Sequence, residues 1–187
     1  QLLPDTGEIW IFGEKMTKYL SKNFKKRINM CSGNPNFPWS MTVYEILKFY
    51  ALLYTSYSKK TLSEHIEMFH LENFKNTQYD QLSTGNKQKL ALAKSLINNP
   101  EILFLDEPTI GLDPDIAKKM RELIIKIHKE TNITIVLTTH YMKEAEELCD
   151  RIAFINKGNI KLIGTKEEIM DKTKTKNLDE AFLELVK

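Results

Sequence analysis

Hydrophobic positions along the chain change period from block to block. Residues 102–105 (Ile-Leu-Phe-Leu) form a continuous apolar run, the pattern of a strand buried on both faces of a parallel sheet. Residues 133–137 repeat that pattern, and residues 8–12 and 27–32 read as two more short strands. Between them the spacing turns helical. Thr42-Val43-Tyr44-Glu45 is a capping box and opens a helix through about residue 54. Further helices are expected over 60–69 and from Ser83 to just before Pro100. Asp113 ahead of Pro114 places an N-cap before a proline at the first helical position, and that helix runs to about residue 130. Another follows His140 through about residue 148. Lys157-Gly158 lies between two apolar runs and signals a hairpin, after which helices are expected over 165–170 and 178–186.

Strands separated by helices predict an α/β fold, and the stretch 41–98 predicts an all-helical subdomain inserted between strands. The remaining segments lack either period. Residues 2–7 read as a helix end and turn, 33–40 as a loop, 171–177 as a polar linker and 22–27 as a basic, solvated loop. The aromatics of the 33–40 loop either meet a partner protein or pin the loop to the body.

Bulk composition narrows the class. The chain has 187 residues, 42% hydrophobic and 28% charged, which suits one globular domain with its own core. Lys plus Arg number 27 and Asp plus Glu 25, leaving a formal charge of only +2. That gives no electrostatic case for nucleic acid as a partner. Cys31 and Cys149 have no paired spacing, which argues against a disulfide framework or a thiolate zinc site and favours a reducing compartment. His65 and His70 have no partners at metal spacing and read as surface or satisfied core histidines.

Candidate chemistry begins where the central run ends. Asp106 and Glu107 follow it at once, and Pro108 closes the strand. Ligands of open α/β sheets bind at the carboxyl ends of strands. One carboxylate there can hold a hard cation such as Mg²⁺, and the next, directed oppositely by strand alternation, can take a proton from water. Taken alone, the pair also fits plain loop residues or a helix cap. Leu82-Ser83-Thr84-Gly85-Asn86 opens the helix before the central strand. Ser83 there either caps the helix or, with its exposed N–H groups, faces a phosphate. Gly111-Leu112-Asp113 follows the acids, and Thr138-Thr139-His140 ends the next strand.

These four motifs in this order resemble the ATP-binding-cassette (ABC) ATPase family, and the resemblance covers essentially the whole chain. It implies a P-loop NTPase (RecA-like) core with an inserted helical subdomain. Residues 82–86 match the family's signature motif, residues 102–107 the Walker B strand, residues 111–113 the D-loop and His140 the switch histidine. The resemblance implies Asp106 for Mg²⁺ and Glu107 and His140 as the catalytic pair. Ser83, Gly85, Asn86 and Asp113 then bind ATP across a head-to-tail pair of ATPase subunits, alike or different. It further implies an integral membrane permease subunit as partner and a peripheral place on the cytoplasmic face of the membrane. The 37–45 segment looks like that of ABC-2 type exporters. A soluble ABC protein of translation or DNA maintenance is the alternative, as is a non-catalytic fragment.

Two departures stand out. No Gly-x-x-x-x-Gly-Lys-Ser/Thr loop occurs in the 187 residues, and the family places that Walker A loop ahead of a segment like residues 3–13. The expectation is a single ABC ATPase domain over 1–187, incomplete at its N-terminus. The family also has a glutamine after the strand ending near Ser32. Here Gly33-Asn34-Pro35 stands in that place: either Asn34 substitutes as a shorter amide or the contact is absent.

Overall fold

The computed structural model describes residues 4–16, 22–54 and 58–186. Leu2 and Leu3 of the expected helix end lie outside them. The expected strand over 8–12 is reduced to β1, Trp10–Ile11, paired antiparallel with β2, Glu14–Lys15. Phe12 and Gly13, both at positive φ, make the turn that shortens it.

The basic segment expected as a loop is instead a helix, α1, Lys22–Arg27. Its one large apolar residue, Phe24, is buried and meets the Phe12 ring at 5.8 Å. That single anchor outweighs four cationic neighbours, and a composition of charges hides it.

α1 runs directly into β3, Ile28–Ser32. Then come α2 (Val43–Leu53), α3 (Lys59–Met68) and α4 (Thr84–Ser95), with two 3₁₀ turns between α3 and α4. Local caps start each: Thr42 and Glu45 form the capping box, and the Ser58 and Ser83 hydroxyls each accept a backbone N–H. β4 (Ile102–Asp106), α5 (Pro114–Glu130), β5 (Thr134–Thr138) and α6 (Met142–Leu148) follow. Asp113 occupies the N-cap position of α5, but its side chain makes no capping bond. β6 (Ile152–Asn156) and β7 (Asn159–Gly164) form the hairpin over Lys157 and Gly158, both at positive φ. α7 (Lys166–Thr173) and α8 (Leu178–Val186) close the chain. The expected linker at 171 therefore starts later, where Lys174 adopts the left-handed conformation that ends α7.

β3, β4 and β5 form one parallel sheet with β4 in the middle, and Ser32, Asp106 and Thr138 stand side by side at its carboxyl end. Cys31, Leu103 and Leu105 face a core built largely from α2, α4 and α5. The other face corrects the sequence expectation. Met30, Phe104 and Val136 are neighbours in register yet remain 52%, 36% and 43% exposed. β4 is thus buried on one face, and β5 alternates between half-buried and exposed. A continuous apolar run shows that a strand can be covered twice. Whether helices lie on both sides is a tertiary matter.

Among the described residues β5 pairs only with β4, and β6 only with β7. A cavity of about 1210 Å³ separates them, lined by Val136, Thr138, His140, Ile152 and Phe154 among others.

Candidate functional site

The carboxyl end of β4 brings the acids to the sheet tip. Asp106 is the last strand residue and lies between Ser32 and Thr138. Thr138 Oγ1 donates to Asp106 Oδ1 at 2.5 Å, which orients that carboxylate. The row offers hard oxygen donors only, the set a small divalent cation prefers. Among the described residues no three His, Cys, Asp or Glu side chains cluster for a metal.

Glu107 leaves the strand in the left-handed region, φ 48. Its N–H donates to the Thr138 carbonyl at 2.9 Å, and its carbonyl accepts from Ile110 N at 3.1 Å. The turn so formed directs its carboxylate to His140, whose Nδ1 lies 3.1 Å from Glu107 Oε1. An ionised carboxylate only accepts, so Nδ1 carries the proton. For His140 to hold a phosphate oxygen through Nε2 as well, both ring nitrogens must be protonated. The His140 ring also packs on Tyr141, 4.1 Å between centroids.

The signature residues sit elsewhere. Ser83, Gly85 and Asn86 line a cavity of about 440 Å³ together with Gly111, Asp113 and Lys89. Ser83 Oγ is committed to the helix, accepting from Asn86 N at 3.3 Å. Gly85 is also a packing residue, since a Cβ there would meet Ile116 Cγ2 at 2.7 Å. Asn34 is exposed, and its N–H donates to Ser32 Oγ at 3.3 Å. The candidates therefore fall into two places: Asp106, Glu107 and His140 at the sheet tip, and Ser83, Gly85, Asn86 and Asp113 around the second cavity.

Three neighbours escape a reading by motif. Thr138 orients Asp106. Gln88, 3% exposed, reaches from α4 to the Ser32 carbonyl at 3.4 Å. Gly33 lies against the acidic pair, because a Cβ there would come within 2.5 Å of the Glu107 carbonyl and 2.9 Å of that of Asp106. Strand register is the one signal that would have placed Thr138, opposite an acid at a strand end.

His65 is a core histidine. Its Nε2 lies 2.7 Å from the Ala93 carbonyl, and burial pushes its pKa down. Burial likewise pushes the Cys31 thiol up to about 12, so it is protonated at neutral pH and not a nucleophile.

Comparison with known proteins places the chain in a family. The family model described as ABC transporter matches residues 1–110, and the chain belongs to that family. The bacitracin transport ATP-binding protein of Bacillus licheniformis is 37% identical over 84% of this chain and 51% of its own length. The fluoroquinolones export ATP-binding protein of Mycobacterium tuberculosis is 37% identical over 90% of the chain and 55% of its own. The second methionine import ATP-binding protein of Enterococcus faecalis is 35% identical over 92% and 52%. The chain thus spans about half the length of the curated relatives it matches. Among solved structures, the ATP-binding subunit of an ABC transporter superposes with a TM-score of 0.83 at 26% identity, over 98% of this chain and 78% of that one. A dimeric ATP-binding cassette in a post-hydrolysis state, bound to ADP and Pi, superposes with a TM-score of 0.74 at 27% identity, over 87% and 74%. The fold is the α/β core of the P-loop NTPases.

Proposed function

We propose that the chain is an ATP-binding and ATP-hydrolysing part of an ABC transporter, one ATPase domain in which residues 41–98 form a helical subdomain. The observation that carries this reading is the 3.1 Å approach of His140 Nδ1 to Glu107 beside Asp106 at the sheet tip. Glu107 accepts the proton of the attacking water. His140 orients that carboxylate and, doubly protonated, holds a γ-phosphate oxygen. Asp106, set by Thr138, is the group to hold Mg²⁺. That cation, when bound, neutralises charge developing on the phosphates.

The separate cavity with Ser83, Gly85, Asn86 and Asp113 fits contact with the nucleotide of a second ATPase subunit, paired head to tail. Asn34, next in sequence to Gly33, is the candidate amide for the same nucleotide. The driven partner is an integral membrane subunit, which puts the protein peripherally on the cytoplasmic face. Among the described residues no helix is long and apolar enough to cross a membrane. Relatives named for export and for import match at 35–37% identity. The likeness therefore assigns coupling rather than direction or cargo, and it favours transport over translation or DNA maintenance.

The test uses the product of the intact gene. Glu107→Gln should lower ATP turnover by about 10²-fold or more while ATP-driven pairing persists in size-exclusion chromatography. Undiminished turnover removes Glu107 from the role, and absence of ATP binding to the wild type removes the function.

A further inference from the structure

The Glu107–His140 pair is poorly placed to hold itself. Both side chains are well exposed, 36% and 55%, and exposed pairs are worth little and hold geometry weakly. A buried bond lies a few residues further along the same two segments. Thr109 Oγ1 donates to Glu144 Oε1 at 2.8 Å. Thr109 is 6% exposed and Glu144 only 1%. Glu144 Oε2 is also buried and has no hydrogen-bond partner among the described residues. A carboxylate placed this way costs stability unless it is held well.

The connectivity explains what such a group can do. Thr109 is two residues beyond Glu107 in the turn that closes on the Ile110 N–H. Glu144 is four residues beyond His140, in the first turn of α6. The Thr109–Glu144 bond therefore joins the same two segments that Glu107 and His140 join at the surface. With the Glu107 N–H to Thr138 carbonyl bond, three links close one ring around the pair, and this latch is the link least open to water. We propose that Glu144, acting through Thr109, is a positioning residue that fixes the spacing of Glu107 and His140. It does not touch substrate. The inference rests on the hydrolytic reading above.

The experiment uses the intact gene product and steady-state ATP hydrolysis. Removing one partner would orphan the other, so the informative variant replaces both by apolar groups of similar shape, Thr109→Val with Glu144→Leu. Such a pair exchange is close to neutral for stability. The double variant should keep its thermal midpoint, lower kcat about tenfold or more and leave KM for ATP within about twofold. Thr109→Ser, which keeps the hydroxyl, should keep kcat within about threefold of wild type. If the double variant does not fold, Glu144→Asp decides. It shortens the arm by one methylene, keeps the charge and should show the same fall in kcat at constant KM. A folded double variant, or a Glu144→Asp variant, with wild-type kcat overturns the latch alone. So does a loss confined to KM, or an equal loss in Thr109→Ser. A wild type without ATP hydrolysis overturns the parent reading and the latch with it.

Discussion

Glu107 combines a function with a backbone cost. An L-residue in the left-handed region costs about 1–2 kcal/mol, and φ 48 puts Glu107 there. The surroundings over-determine it. Its N–H and C=O are both bonded, and Gly33 leaves room for its carbonyl. Glycine would relieve the strain while adding about 0.5–1 kcal/mol of unfolded-state entropy. Its loss of the exposed His140 contact weighs little. Glu107→Gly should therefore be more stable than wild type by about 0.5–1 kcal/mol in urea unfolding, and hydrolytically dead. A destabilised Glu107→Gly variant would show that the turn is not strained. Nothing in the sequence announces this conformation, because glutamate has no preference for positive φ. It follows from the turn that carries the acid off the strand.

At the scale of elements, two glycines make opposite demands. Gly33 needs no special φ. It matters because the chain leaving β3 passes so close to the acidic turn that a Cβ would strike two backbone carbonyls and Ile110. Backbone cannot swing aside as a flexible side chain can. Gly33→Ala should cost about 1–3 kcal/mol as overpacking and lower turnover by shifting Glu107. Gly111 has open space around its Cβ position but φ 68. Gly111→Ala should cost only about 1 kcal/mol, from backbone strain. Urea midpoints of the two variants distinguish close approach from conformation.

The same contrast explains what could be read beforehand. The capping box at Thr42–Glu45, the Ser83 cap, the Lys157-Gly158 hairpin and the apolar runs are local, and each led to an element that forms. The neighbourhood of Asp106, Glu107 and His140 followed from one further assumption, that their strands are adjacent, which β4 and β5 are. Gly33 under the Glu107 carbonyl, Gln88 on the Ser32 carbonyl and Thr109 on Glu144 join residues 74, 56 and 35 positions apart. No local pattern encodes such pairs. The helix at residues 22–27 is hidden because one buried phenylalanine decides it among four cationic residues.

At the scale of the whole molecule, the sheet is open in two directions. The Met30–Phe104–Val136 row is exposed on its face. The β5 edge is unpaired among the described residues. Thr134 N bonds the Glu101 carbonyl and the Thr138 carbonyl accepts from Glu107 N, both toward β4. By alternation the N–H and C=O of Ile135 and Leu137 point away, toward the cavity before β6. A free strand edge beside an exposed apolar row is a template for association. The 187 residues expressed alone should therefore associate with rising concentration in size-exclusion chromatography and bind a hydrophobic dye. Val136→Lys places a charge on the exposed face of that edge strand, away from the core on the opposite face, and it should reduce both signals without lowering the urea midpoint. A wild-type chain that stays monomeric at high concentration and binds no dye would mean that the row and the edge are already covered. In that case Val136→Lys should destabilise the fold, because the lysine would then be forced into a packed interface.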